Sequence, residues 1–246
     1  MKRGVLRLAD IPEDYPLSDK QAIQRATAIS GQPHIKQIQI QTFLNNLRYP
    51  LHFLDFETFS TAIPMFDGTR PYQQIPFQFS LHIVREAGAR PEHHKFLAES
   101  RNDPRSEFMR QLKSAVEPDG SIVVFNASFE KGRLKECAEV LPEYAAWAAA
   151  VNGRMVDLLN PFRGFHFFHP DQCGSASMKR VLPALTGKNY ESLEIQEGGA
   201  ASREFLRVTF TDASESERSR VRRALDEYCG QDTEGMVWIL DALRAG

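Results

Sequence analysis

Acidic side chains occur inside a stretch that is otherwise typical of a buried strand. The segment LHFLDFETFS (51–60) carries Asp55 and Glu57 two residues apart among leucines and phenylalanines. Since alternate residues of a strand point to the same side, both carboxylates are expected on one face. Two like charges buried side by side are costly unless a cation neutralises them. The segment therefore predicts a strand that binds a cation.

Two further acidic positions have a similar setting. Glu130 ends FNASFE (125–130), where an apolar strand joins a helix, although a carboxylate there also gains from the helix dipole without any function. Asp232 interrupts the apolar stripe of the last helix, one turn after Tyr228. Taken alone, an ion pair or a solvent edge explains it better than a catalytic role. If all four carboxylates converge, their hard oxygen atoms suit two Mg²⁺ or Mn²⁺ ions and phosphate chemistry.

The elements that would position these residues are those of a mixed α/β sheet covered by helices. Strands are predicted at 51–57, 77–85, 93–97, 121–126 and 155–159. Helices are predicted at 35–47, 104–116, from about 127 to 140, 175–185 and 214–243, with a short helix after Ser18 and an irregular segment at 187–213. We interpret residues 1–50 as an N-terminal arm or linker with helical segments, and residues 51–246 as one domain.

Composition narrows the class of protein and its partners. The formal net charge of −2 gives no global basic field for nucleic acid, although a local patch would suffice. Three widely spaced cysteines indicate no disulfide framework and favour a reducing, cytoplasmic location. The longest run of small apolar residues, 145–151, is too short to span a bilayer. We therefore expect a soluble cytoplasmic protein without a membrane partner.

Three short motifs together carry a resemblance to a known superfamily. DFET (55–58), NASFE (126–130) and YCGQD (228–232) resemble, in order and in surroundings, the motifs of DnaQ-like exonucleases of the DEDDy subgroup. The resemblance covers about residues 51–246. It implies a ribonuclease-H-like fold, with a mixed five-stranded sheet flanked by helices. It also implies 3′–5′ hydrolysis of phosphodiester bonds at single-stranded DNA or RNA ends, with two divalent cations, Mg²⁺ or Mn²⁺.

The resemblance also implies a role for each motif residue. Asp55 would bridge both cations, Glu57 and Asp232 would complete the cation on the side of the nucleophile, and Glu130 would support the leaving-group side. Tyr228 would hydrogen-bond the attacking water or the scissile phosphate. The superfamily's second motif usually ends in Asp, so Glu130 is longer by one methylene. A misplacement of about 1 Å can cost about 100-fold in rate.

Two other functions stay open beside the exonuclease. The altered second motif and the ordinary net charge favour a binding module for nucleic acid or protein, with weak or lost catalysis. Retention of the four acids and of Tyr228 argues against it. A ribonuclease-H-type endonuclease or resolvase is the third possibility. Such enzymes usually place one Asp rather than Asp-x-Glu on the first strand, so Glu57 and Tyr228 argue against it.

The chain is also similar to an uncharacterised bacterial family. The similarity is carried by YPLHFLDFET (49–58), PYQQIPFQFS (71–80), SASMKRVLPAL (175–185) and the segment around GGAAS (198–202). In that family this region often lies downstream of a RecB-type or PD-(D/E)XK nuclease domain. The similarity therefore implies such a domain as a partner, in cis or in trans, and residues 1–50 as a linker.

Contacts with a nucleic-acid substrate are expected from aromatic, cationic and amide side chains outside the acidic set. The candidates are Asn126, Phe77, Phe79, Lys179, Arg218 and Arg222. The two phenylalanines could stack on bases, although core packing is favoured. The three cations could attract a phosphate backbone, although a solvated helix face is the usual role of such residues. Asp157 is expected to support the site through a structural hydrogen bond.

Overall fold

The computed structural model describes residues 6–246, so the first five residues of the predicted arm lie outside the described residues. The helices are α1 (Asp19–Ser30), α2 (Gln37–Asn45), α3 (Arg105–Ala115), α4 (Ala127–Val140), α5 (Ala145–Gly153), α6 (Asn160–Arg163), α7 (Met178–Thr186), α8 (Gly198–Phe210) and α9 (Glu215–Ala245). The strands are β1 (His34–Ile35), β2 (Leu51–Phe59), β3 (Ile75–Val84), β4 (Glu92–Leu97), β5 (Ser121–Val124), β6 (Met155–Asp157) and β7 (Phe167–Phe168).

The backbone divides into two compact units. One contains the described residues up to Asn46 together with Leu158–Asn189 and Trp238–Gly246; the other contains Leu47–Asp157 and Tyr190–Val237. The second unit holds the sheet and all four predicted acids, and we call it the sheet unit. The predicted division into an arm and one domain at residue 50 stays a prediction. None of the helices within residues 6–246 combines the length and the hydropathy needed to cross a bilayer.

The sheet unit is built on five strands in the order β4-β3-β2-β5-β6. β2 runs antiparallel to β3 and parallel to β5, β3 runs antiparallel to β4, and β5 runs parallel to β6. Helices α3, α4 and α5 occupy the connections that lead to the parallel strands, because a parallel pair needs a crossover. The predicted fold class is therefore confirmed: a mixed five-stranded sheet flanked by helices, consistent with a ribonuclease-H-like fold.

The central strand β2 is covered on both faces, and its two faces differ in character. Leu54 and Phe56 point into a core formed with α3, where Phe56 meets Phe108 edge to face at 5.0 Å. Asp55 and Glu57 occupy the opposite face, as the period of two requires. In the register with β3, Asp55 lies opposite Ser80 and Glu57 opposite Gln78, so a polar stripe continues across two strands. The apolar face fixes the register that keeps both acids together.

The other unit confirms one local prediction. Helix α1 begins after Ser18, whose side chain forms a reciprocal capping box with Gln21, and ends at Gly31 with a left-handed φ of 68°. The two-residue strands β1 and β7 pair antiparallel in the same unit. A pairing this short and distant in sequence has no periodic pattern by which to predict it.

The prediction of an irregular segment at 187–213 is confirmed for residues 187–197 and wrong for residues 198–210. Residues 198–210 form α8, which buries Ala201, Phe205 and Val208 along one side. Their spacing of four and three residues is helical. Two glycines at the start and a threonine near the end make this helix hard to predict from sequence, because these residues have low helix propensity. Tertiary packing offsets this low propensity, since Phe205 stacks on Phe77 with ring centroids 3.9 Å apart.

Candidate metal centre

Three of the predicted acids converge on one point of the sheet unit. Asp55 and Glu57 come from β2 and Asp232 from α9, and each offers a carboxylate oxygen within 4.8 Å of the other two. Glu57 is 7% exposed and Asp232 9% exposed, whereas Asp55 is half-buried. We call Asp55, Glu57 and Asp232 the acid trio. Asp55 is thus the most exposed member of this trio.

Polar contacts between α9 and β3 determine where Asp232 lies. The Gln78 Nε2 atom donates to the Leu225 carbonyl oxygen at 3.1 Å, and the hydroxyls of Ser80 and Thr233 are 2.7 Å apart. Thr233 directly follows Asp232 in the chain, so this contact fixes the helix at the acid itself. The same polar stripe that continues from the two acids of β2 therefore aligns the helix that brings the third acid.

The acid trio repels itself in the absence of a cation. Burial raises the pKa of Asp55 well above its ordinary value, and the charges of Asp232, Glu57 and Glu130 raise it further. The thiol of Cys229, 3.9 Å from Asp55 Oδ2, opposes this only weakly. Hard divalent cations reverse this balance, because they favour the charged form of every carboxylate that binds them. The donor set of the trio thus fits Mg²⁺ or Mn²⁺.

Glu130 lies on α4 and is not part of the acid trio, but its carboxylate is also a candidate metal ligand. It is only 2% exposed, and its Oε2 atom is buried without a hydrogen-bond partner among the described residues. Burial raises the pKa of Glu130 to about 8, with the charge of Asp157 adding to the effect and a bond to its own backbone N–H opposing it. A buried carboxylate oxygen without a partner is costly in a folded protein. It is the kind of group that a cation would satisfy.

Two tyrosines flank Asp232. Tyr228 lies one turn earlier on α9, and the Tyr190 hydroxyl donates to Asp232 Oδ1 at 2.6 Å. Their ring centroids are 6.1 Å apart. Burial and then the charge of Asp232 raise the pKa of both phenols, so each stays protonated at neutral pH. Both can therefore donate hydrogen bonds, and neither can act as a general base.

Asp157 has the supporting contact that the sequence predicts. Its Oδ1 atom accepts the backbone N–H of Asn126 at 2.9 Å. Asn126 has a left-handed φ of 87° at the start of α4, and its side chain accepts a hydrogen bond from Ser128. Because αL is costly for most residues but tolerated by Asn, the pair holds the strand-to-helix turn that leads to Glu130. Asn126 thus has a local structural role at this turn.

The remaining substrate-contact candidates have mixed outcomes. Phe77 and Phe79 are fully buried, so the favoured interpretation, core packing, is confirmed, and the alternative that these rings stack on bases is wrong. The guanidinium of Arg222 donates to the carbonyl oxygens of Leu97 and Ala98, which fixes α9 against the end of β4.

Arg218 and Lys179 differ in their settings. Arg218 is half-buried, and its Nε atom has no hydrogen-bond partner among the described residues. Lys179 is exposed on α7, which does not belong to the sheet unit. Phosphate contact by these two residues stays a prediction.

A comparison with known protein families finds one family whose model matches this chain. Residues 52–177, just over half of its 246 residues, match the family model described as a domain of unknown function, DUF2779. The chain belongs to the DUF2779 family. The matched range runs from the second residue of β2 to beyond β7 and contains Asp55, Glu57 and Glu130. Asp232 lies beyond it.

Similar proteins occur in mycoplasmas. The uncharacterised MG366 homolog of Mycoplasma pneumoniae is 27% identical over 207 residues, which cover 76% of this chain and 31% of the relative. Uncharacterised protein MG366 of Mycoplasma genitalium is 27% identical over 216 residues, covering 80% of this chain and 32% of the relative. The chain thus spans about a third of the length of these curated relatives. No solved structure matches it.

Sequence reasoning missed Tyr190 and Thr233 in this DUF2779 chain. Tyr190 lies in a segment predicted to be irregular, 42 residues before the acid to which it donates. Thr233 directly follows Asp232 and meets both Ser80 and His82 of β3. Neither belongs to a short motif. Only the burial of both residues could have indicated them, and burial follows from tertiary packing.

Proposed function

We propose that this chain is a divalent-metal-dependent 3′–5′ exonuclease that hydrolyses phosphodiester bonds at single-stranded nucleic-acid ends. The single observation that carries the proposal is the convergence of three carboxylates from β2 and α9 within 4.8 Å. Its relation to the DnaQ-like superfamily of the DEDDy subgroup is part of the proposal. Two observations support it: the strand order of the sheet, and the positions of the three motifs on β2, at the turn from β5 to α4, and on α9.

The acids would hold the cations. Asp55, Glu57 and Asp232 offer carboxylate oxygens at one point, and Glu130 offers its buried Oε2 atom from α4. When bound, two such cations supply an activated water and stabilise the charge that develops on the phosphate. The end of a nucleic-acid strand would approach the cluster at Asp55, its most exposed member. The buried Glu57 is held by the sheet and the buried Asp232 by α9, so both side chains need little reorganisation when the cations bind.

Tyr228 would act on the reacting groups. Its phenol stays protonated because of burial and because of the charges of Asp232, Glu57 and Asp55. It would therefore donate a hydrogen bond, orienting the attacking water or a phosphate oxygen. A proton acceptor must then come from another group or from solvent.

The relatives leave room for a partner domain. They are about three times as long as this chain, and we propose that a RecB-type nuclease domain in the same or another polypeptide supplies the single-stranded ends. The exonuclease would then trim what that domain produces.

Labelled strands test the activity directly. Purified protein is incubated with 3′- and 5′-labelled single-stranded DNA and RNA in Mn²⁺, Mg²⁺ or EDTA. The expected result is a ladder that shortens from the 3′ end and disappears in EDTA. The variants Asp55→Ala and Asp232→Ala are expected to abolish it with the far-UV circular dichroism unchanged.

Glu234→Gln is the matched control for these variants. Glu234 is exposed on α9, two residues after Asp232, so its removal changes the charge of the same helix without touching the acid trio. Its activity is expected to equal that of the wild type. Undiminished hydrolysis in both Asp variants would refute the assignment. Binding of single strands without cleavage under any metal would favour the binding module instead.

A further inference from the structure

We propose that Tyr190 is a positioning residue that holds Asp232 ready to bind a metal ion. This inference rests on the proposed function, because it takes the acid trio to be a metal centre. It assigns a role to a residue outside all three motifs. The residue comes from the connection between α7 and α8, a part of the chain that the resemblance leaves without a function.

The contact itself is short and buried. The Tyr190 hydroxyl donates to Asp232 Oδ1 at 2.6 Å, and the two side chains are 5% and 9% exposed. A phenol bonded to a carboxylate at this distance is a charge-assisted hydrogen bond, which is stronger and more directional than one between neutral groups. Water competes poorly for the carboxylate there. The bond therefore fixes one oxygen of Asp232 in direction.

Asp232 is the member of the acid trio whose carboxylate orientation is not already set by the backbone. Asp55 and Glu57 are set by the pleat of one strand, which sends both to the same face. Asp232 comes from a helix, and its carboxylate could turn about its own side-chain torsions. With Oδ1 held by Tyr190, the direction of Oδ2 is fixed as well. Groups behind a ligand commonly decide metal affinity in this way.

The neighbouring Tyr228 provides a contrast. Both rings are buried, and their centroids are 6.1 Å apart. The proposed function gives Tyr228 a contact with the reacting groups. Tyr190 instead holds Asp232, the proposed metal ligand. Loss of the Tyr190 hydroxyl should therefore weaken metal binding and not only slow the chemical step. The loss of each hydroxyl is therefore expected to affect metal affinity differently, and a binding experiment without substrate can measure this difference.

Mn²⁺ titration by isothermal calorimetry tests the inference on the full chain. Tyr190→Phe removes the donor and keeps the ring, so the fold is retained, and this is checked by circular dichroism and thermal melting. The expected result is a Kd for Mn²⁺ raised by about 10- to 100-fold. Tyr228→Phe is expected to keep the Kd within about twofold of the wild type while its hydrolysis rate falls.

Tyr144→Phe is the matched control. Tyr144 lies at the start of α5 and packs against Trp147, and its hydroxyl loss should leave the Kd unchanged. If the wild type binds Mn²⁺, Asp55→Ala does not, and Tyr190→Phe binds like the wild type, the role of Tyr190 is refuted and the metal centre stands. If the wild type and Asp55→Ala both fail to bind, or bind equally, both proposals are refuted.

Discussion

Replacing Glu130 with glutamine should change how the stability of the metal-free protein depends on pH. Glutamine is nearly isosteric but stays neutral at every pH. Burial raises the pKa of Glu130 from an ordinary 4.5 to about 8 in the folded chain. Because the folded state binds this proton more tightly than the unfolded state, its contribution to stability is complete below pH 4.5. It is then lost as pH rises to about 8.

The magnitude follows from the two pKa values. Multiplying their difference by about 1.4 kcal/mol per pKa unit gives about 5 kcal/mol lost by the wild type across this range. The variant has no such proton to lose. Asp55 also has a raised pKa, but the charge of Glu130 is the smallest of the causes that raise it, so this contribution is largely common to both proteins. The stability difference between wild type and Glu130→Gln should therefore change by about 5 kcal/mol between pH 4.5 and 8.

Urea unfolding in EDTA, followed by circular dichroism at intervals from pH 4.5 to 8.5, measures this difference. Glu139→Gln is the control, since Glu139 is exposed on the same helix. Addition of Mg²⁺ or Mn²⁺ at pH 8 should restore stability to the wild type more than to Glu130→Gln, because a ligand of the folded state stabilises it by mass action. Parallel pH curves for wild type and Glu130→Gln in EDTA would refute the reasoning.

Three further predictions follow from buried groups. Cys173 is exposed, whereas burial raises the pKa of Cys137 to about 12 and that of Cys229 well above its ordinary value. The native chain should therefore titrate one thiol at pH 8 and three in urea, and a second reactive native thiol would contradict this. Phe77→Ala should lower the unfolding free energy by about 3–5 kcal/mol, because the ring stacks on Phe205 in the core, and a loss below about 1 kcal/mol would exclude that packing. Burial, with two neighbouring histidines, lowers the pKa of His82 to about 4. Stability should therefore fall by about 3 kcal/mol as pH drops from 6.5 to 4, and His82→Gln should remove that part of the fall.

The fold, and the face of its strand or helix on which each acid lies, could be predicted because these signals are local. Asp55 and Glu57 stand two residues apart in an apolar run, which fixes both the strand and the shared face. Asp232 interrupts a stripe with helical spacing, which fixes the face of α9. Alternating strands and helices then predict a mixed sheet. Each of these inferences needs only a short window of sequence.

What could not be predicted depends on contacts between distant segments. Phe77 looks the same in sequence whether it stacks on a base or on Phe205, and only the position of α8 decides between them. The donor to Asp232 is Tyr190, 42 residues away in a segment with no periodic pattern. Arg222 bonds carbonyl oxygens at the end of β4, a role that its basic neighbours in sequence conceal. Burial, and not residue type, distinguishes these roles.

The most direct test of the central claim is anomalous X-ray scattering from crystals of the protein soaked in Mn²⁺. We predict a peak within coordination distance of Asp55, Glu57 and Asp232, and its loss in crystals of Asp55→Ala. A second peak beside Glu130 would account for its buried oxygen. If Mn²⁺ scatters elsewhere or nowhere while the acid trio keeps its arrangement, the trio is not a metal centre, and the proposed hydrolysis loses its basis.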